Sequence, residues 1–208
     1  AVPLFIILVV FIIITMVMSS GVLEGRPLSS LFTRGFMSTG NLLNMFYKLV
    51  IQSFMLCGIV LILIGGNIDL SVAGQAAITS MVFAWLCQNT GMHWVIIFLL
   101  CLVMAACLGL INTFLVNILK FPSFIATIGM SSVYAGLCNV MTQGNNIQVS
   151  RQGFIALGKL NVGGFMPVIF LIALAALIIY QFVLSKTTFG RSIYMCGGNP
   201  NAARLSGL

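Results

Sequence analysis

The chain of 208 residues holds two acids. One of them, Asp69, stands in the run Gly65-Gly66-Asn67-Ile68-Asp69-Leu70-Ser71-Val72, between two long apolar stretches. A carboxylate at membrane depth is unfavourable unless paired or hydrated, and such residues are often functional. A plainer role is a cap: Asp69 or Ser71 accepts from the free N–H groups of the helix that follows. Both readings stay open. The two preceding glycines permit a sharp turn or an unwound helix end. Gln75, Asn112, Asn117 and Thr127 also interrupt apolar sequence. A buried amide either bonds a neighbouring helix or lines a pathway. Asp69, Ser71, Gln75, Asn112 and Thr127 are the candidates for a polar site inside an apolar chain.

A second group lies in the terminal segment, Thr188 to Leu208, which is rich in small and polar residues. Asn199 is a good N-cap, and Pro200 falls at the first helical position, where its missing N–H is not needed. Ala202, Ala203, Arg204 and Leu205 favour helix, and Gly207 is placed to end it in a left-handed turn. A helix this short is marginal alone in water, so it docks on something. Other chemistry is not visible. There is no Gly-x-x-x-x-Gly-Lys-Ser/Thr phosphate loop and no nucleophile-plus-base arrangement. His93 is the single histidine, and none of the six cysteines forms a C-x-x-C pair. No metal site is expected, and most of the cysteines are expected to be small core thiols.

The elements that carry these residues follow from composition. Hydrophobic residues make up 61% of the chain and charged residues 5%, against roughly 25% charged in soluble domains. Lipid must be much of the solvent. The apolar runs are long and do not alternate, which predicts helices. Six spans are expected, over Val2–Leu23, Leu49–Ile64 (extended by Asn41–Lys48), Val72–Cys87, Trp94–Leu119, Phe124–Met141 and Pro167–Leu184. Pro122 predicts a tight reversal between the fourth and fifth. The fold class is therefore an all-α polytopic bundle. Small residues four apart (Ala73/Ala77, Ala105/Gly109, Ser131/Ala135, Ser132/Gly136) are candidate helix contacts. The net charge of +7 comes from basic residues spread through loops, which argues against nucleic acid. Lys120, Lys186, Arg191 and Arg204 fall on one side, and Arg26, Arg34, Lys48, Arg151 and Lys159 on the other. Charge counting alone leaves orientation open.

Three segments together resemble the permease subunits of bacterial ribose-type ATP-binding-cassette sugar importers. The family's Gly-Gly-Ile-Asp-Leu-Ser-Val-Gly is similar to Gly66 to Ala73, with Asn67 and Ala73 in place of glycines. Its Lys-x-Pro-Pro-Phe-Ile-x-Thr-Leu-Gly is similar to Lys120 to Gly129, with Ser123 for the second proline and Ile128 for leucine. Its Thr-x-Phe-Gly-Arg…Gly-Gly-Asn-x-x-Ala-Ala-x-x-Ser-Gly is matched from Thr187 and Thr188 through Gly207. The resemblance runs from about Asn41 to the end.

The resemblance implies a single transmembrane permease domain over residues 1–208, multi-pass in the bacterial inner membrane, with C-terminal spans missing. It implies a cytoplasmic ATPase, a periplasmic sugar-binding protein and a second permease copy, identical or not, as partners. The translocated solute would be a monosaccharide or related small polar molecule. This chain would bind no cofactor and catalyse nothing, since ATP and Mg would sit on the ATPase. Residues 186–208 would be the cytoplasmic coupling segment, with Gly198, Asn199, Pro200, Ala202, Ala203, Arg204, Leu205, Ser206 and Gly207 as the coupling residues. Asp69, Ser71, Gln75, Asn112 and Thr127 become candidates for translocation or gating. A secondary, ion-coupled transporter or a channel subunit is the alternative, though an ion-coupled carrier usually holds more intramembrane acids than Asp69 alone.

Overall fold

In the computed structural model, residues 2–164 and 166–207 are described. Long helices dominate: α1 (Val2–Ser20), α3 (Thr39–Ile64), α4 (Val72–Asn89), α5 (Trp94–Thr113), α6 (Ser123–Thr142) and α8 (Val168–Lys186). Short helices α2 (Ser30–Thr33), α7 (Gln152–Lys159), α9 (Thr188–Gly198) and α10 (Pro200–Leu205) join or follow them. Strands β1 (Asn161–Val162) and β2 (Met166–Pro167) form a minimal antiparallel pair. Among the described residues, five helical stretches are long and apolar enough to cross a membrane: α1, α3, α5 with its extension to Ile118, α6 and α8. At 1.5 Å per residue, the range from 19 to 26 residues is roughly 28–39 Å, a hydrocarbon thickness or more. No residue in the apolar stretch of α1 is buried within the chain, far more contiguous apolar surface than a soluble monomer exposes. The protein is an all-α polytopic membrane chain.

The expected third span forms as α4, yet it is not among the five. Gln75, Thr79, Ser80 and Gln88 make it more polar than its neighbours. It is also the most enclosed helix, burying Gly74, Ile78, Met81, Phe83, Ala84 and Cys87. A helix covered by other helices does not need a fully apolar surface. Other boundaries shift slightly. α3 is continuous from Thr39, so the amphipathic extension and the span are one helix. α1 stops at Ser20, where Gly21 takes φ +79°. α5 passes into a π-helical turn, Phe114–Ile118.

The chain divides into two compact units, Ala1–Ile51 with Leu160–Ile172, and Gln52–Lys159 with Ala173–Leu208. In the first, the Phe36 N–H donates to Ser19 Oγ at 2.9 Å and Asn41 Nδ2 donates to the Phe36 carbonyl at 2.7 Å. Phe46 packs on Phe170 with ring centroids 4.7 Å apart.

The second unit centres on α4. One cluster joins it to α5 through Phe83, Cys87, Ile97 and Cys101. The other joins it to α6 through Ile78, Met81 and Tyr134. The close α4–α6 approach uses Gly74, where an added Cβ would lie 3.2 Å from Ser131 Cα and carbonyl oxygen. Of the four small-residue pairs expected from sequence, only Ser131 takes part in this contact. Gly109 and Gly136 face open space, and Ala73 and Ala77 are exposed. Spacing identified small residues but not which face of the helix meets a partner. The cysteines are free. Cys87 and Cys101 are core thiols, while Cys107 and Cys196 are exposed. His93 caps α5, its Nδ1 accepting from the Val95 N–H at 3.4 Å.

Candidate functional site

The Asp69 loop begins where α3 ends in a glycine-capped turn. Gly66 has φ +80°. The Asn67 N–H donates to the Ile62 carbonyl at 3.1 Å and the Gly66 N–H to that of Leu63 at 3.0 Å. This is the paired pattern that closes a helix on a left-handed residue, and Gly takes that conformation without a Cβ clash. The chain then lies along the start of α6. The Ile68 N–H donates to Ser123 Oγ at 3.3 Å, and the Leu70 N–H to Thr127 Oγ1 at 3.2 Å.

Four of the five candidates from the apolar stretches meet at one node. Asp69 Oδ1 accepts from the Ser71 N–H at 2.7 Å and from Ser71 Oγ at 2.6 Å. Ser71 Oγ in turn accepts from Asn112 Nδ2 at 2.6 Å and from Gln75 Nε2 at 3.0 Å. Asn112 Oδ1 accepts from the Tyr134 hydroxyl at 3.4 Å. Thr127 stands next to this node, holding the Leu70 backbone and donating to the Ser123 carbonyl at 2.7 Å. Ser71, Asn112 and Thr127 are buried, and Asp69 is half-buried. The cap expected of Asp69 is not formed: its carboxylate accepts from the N–H of Ser71, the residue that precedes α4, and not from the free N–H groups of the first turn, so it anchors the network instead. Ser71 makes no side-chain cap bond of its own.

Beside the node lies a cavity of about 550 Å³, lined by Asn67, Asp69, Gln75, Asn112, Asn117 and Thr127 among others. Its walls are amides and hydroxyls with apolar stretches between, and Asp69 is its one charged lining residue. The π-helical turn at the end of α5 brings Val116 and Asn117 to this wall, and such turns recur at functional sites. Tyr134 and Ser123 belong to the network and were missed in the sequence. The signal was present: Ser123, Thr127, Ser131 and Tyr134 recur every three to four residues, which places four hydroxyls on one face of α6.

The terminal segment folds as two helices, α9 and α10. Thr187 caps α9, its hydroxyl accepting from the Gly190 N–H at 3.3 Å. Asn199 caps α10 as expected, its Oδ1 accepting from the Ala202 N–H at 3.0 Å, with Pro200 at the first position. Gly198 ends α9, and Gly207 takes φ +80° beyond α10. Ser206 Oγ donates to the Ala202 carbonyl at 2.9 Å. Ala202, Arg204 and Leu205 are exposed, Leu205 at 90%. Ala203, grouped with them from the sequence, instead turns inward and is 2% exposed. It packs within its own chain, so the outward face of α10 is carried by its neighbours. Gly197 lies so close to α3 that an added Cβ would overlap the Ile64 carbonyl oxygen and fall 3.3 Å from Gly65 Cα. The terminal hairpin therefore rests on the end of α3, immediately before the loop that carries Asp69.

Comparison with known proteins places these features. The L-arabinose transport system permease protein of Escherichia coli (strain K12) is 31% identical over 185 residues, covering 86% of this chain and 54% of that protein. The ribose import permease protein of Bacillus subtilis (strain 168) is 32% identical over 183 residues, covering 86% and 56%. The autoinducer 2 import system permease protein of Photorhabdus luminescens is 32% identical over 156 residues, covering 73% and 45%. The chain spans about half the length of the curated relatives it matches. No solved structure matches it. The family described as branched-chain amino acid transport system / permease component matches residues 40–208, which takes in both the polar node and the terminal hairpin. The chain belongs to this family of membrane permease components.

Proposed function

We propose that the protein is the membrane-spanning permease subunit of an ATP-driven importer in the bacterial inner membrane, and that its solute is a monosaccharide or related small polar molecule. A periplasmic binding protein delivers the solute, a second permease copy completes the pathway, and a separate cytoplasmic ATPase subunit carries ATP and Mg. The observation that carries this reading is the seating of the terminal hairpin. Residues 186–208 offer an exposed Leu205 and Arg204 on one side, while Gly197 touches the α3 end that leads to Asp69 on the other. Leu205 supplies an apolar anchor, and Arg204 a charge-assisted bond to an ATPase carboxylate. Closure of the ATPase moves the hairpin, and the hairpin moves the Gly65–Ser71 loop. Asp69, Ser71, Gln75, Asn112 and Thr127 then form the gate or solute path that this motion rearranges. A ligand drives such a change only through its different affinity for the two states.

Two classes of solute are suggested, amino acids by the description of the family and sugars by the names of two relatives. The cavity chemistry favours a neutral solute. A zwitterionic amino acid needs a cation for its carboxylate, and the lining offers only Asp69, an anion. Amides and hydroxyls both donate and accept, which suits a polyol.

The test is co-purification of the intact, tagged permease from its native membrane. A subunit with a phosphate-binding loop, identified by mass spectrometry, is expected with the wild-type protein and lost with Leu205→Asp. Its absence from the wild-type preparation under mild detergent would count against the proposal.

A further inference from the structure

A second cavity, of about 440 Å³, lies at the ends of α4 and α6 remote from Asp69. The segment 144–149 crosses it and is fixed at several points. Ile147 packs on the Ile78–Met81–Tyr134 cluster and Val149 on the Phe83–Cys87–Ile97–Cys101 cluster. Gln88 Nε2 donates to the Gln148 carbonyl at 2.7 Å, and the Arg151 guanidinium donates to the Thr90 carbonyl. The cavity is therefore walled on one side by a pinned segment. Its size is at the lower end of small-molecule sites, about 300–1,000 Å³.

We infer that this cavity is a binding subsite for a neutral, polyhydroxylated solute of the monosaccharide class. The inference rests on the importer reading and places the subsite at the end where the solute is delivered. Three asparagines, Asn139, Asn145 and Asn146, line it together with Ser80 and Thr142, and no charged residue does. The side-chain amides of Asn139 and Asn146 have no partner within the chain among the described residues, so each has donors and an acceptor free. Ser80 and Thr142 donate to the carbonyls of Ala77 and Cys138, both at 2.9 Å, which leaves their lone pairs to accept. An array of paired donors and acceptors matches adjacent ring hydroxyls, each of which also donates and accepts. Met81 and Ile147 give an apolar wall for the C–H face of a sugar ring. A zwitterion finds neither of its counter-charges here.

The experiment uses the intact permease in lipid nanodiscs with Ala77→Cys as a reporter, because Ala77 is exposed, lines the cavity and has no polar group to lose. Labelling by a membrane-impermeant maleimide is followed against increasing L-arabinose, ribose or leucine, with native thiols subtracted using the unsubstituted protein. One of the sugars is expected to slow labelling saturably and leucine to leave it unchanged. Adding Asn139→Ala with Asn146→Ala, both exposed positions, is expected to raise the half-protecting concentration about tenfold, as expected for two lost neutral hydrogen bonds. Protection by leucine, no protection by either sugar, or an unchanged midpoint in the double variant each overturns the subsite. ATP-dependent uptake by the wild-type importer is measured in parallel. Uptake with an unprotected reporter rejects the subsite alone, whereas absent uptake rejects the importer reading.

Discussion

Gly197→Ala probes the contact on which the coupling argument depends. The new methyl group overlaps the Ile64 carbonyl oxygen and approaches Gly65 Cα at 3.3 Å. Both are backbone atoms, so no side chain can rotate away. Restoring an ordinary contact of about 3.5–4.0 Å requires the hairpin and the α3 end to part by roughly 2 Å. Overpacking of this kind costs about 1–3 kcal/mol, and replacing a helical glycine by alanine returns about 1 kcal/mol. The net loss is therefore modest, and the fold is expected to persist with a displaced hairpin. The assay measures ATP hydrolysis and solute uptake together in proteoliposomes. Hydrolysis is expected to continue, since the proposed importer places it on another subunit, while uptake per ATP falls about fivefold or more; each 1.36 kcal/mol lost from the transmitted step is a factor of ten. Gly198→Ala is the control, because its added Cβ meets nothing within 4 Å and the helix gains propensity. If the two variants gave the same uptake per ATP, the seating of Gly197 would have no part in coupling.

Ser71→Ala removes the oxygen shared by Asp69, Gln75 and Asn112 and leaves buried polar groups unpaired. A loss of about 2–4 kcal/mol is expected in thermal or denaturant unfolding in detergent. Gly74→Leu forces a side chain against the Ser131 backbone and is expected to prevent α4–α6 packing, read as loss of monodisperse protein, whereas Ser132→Leu at an exposed position is tolerated. Leu205→Ala is expected to leave the fold unchanged, because Leu205 is 90% exposed, and to weaken binding of the proposed ATPase by about 1.5–3 kcal/mol, roughly ten- to a hundredfold in Kd. Ala203→Glu acts differently: it places an unpaired carboxylate at a 2% exposed position and is expected to release α10, seen as rapid proteolysis of the terminal hairpin.

The helical membrane class was legible because it depends on composition and run length, which tertiary contacts do not change. The α10 caps were also legible, since Asn199, Pro200 and Gly207 act locally. Helix α4 was placed correctly, but its enclosed position was not evident, because burial is decided by neighbours that the sequence does not arrange. The same reason explains Ala203 and Gly197. Small residues read alike whether they face a partner protein, a neighbouring helix or open space. Asp69, Ser71, Gln75 and Asn112 were identified singly by their polarity, but their convergence on Ser71 Oγ required two helices, α4 and α5, and the loop before α4 in register. Tyr134 escaped because an aromatic in an apolar run reads as core, and only its place in the α6 hydroxyl stripe marks it as a partner of Asn112.

Uptake into proteoliposomes holding the intact permease, with and without the proposed ATPase and delivery protein, separates an ATP-driven importer from a gradient-driven carrier. L-arabinose or ribose is expected to accumulate only when ATP and the ATPase are present, with no effect of an imposed proton gradient. Uptake that followed a proton gradient without the ATPase would contradict the importer reading.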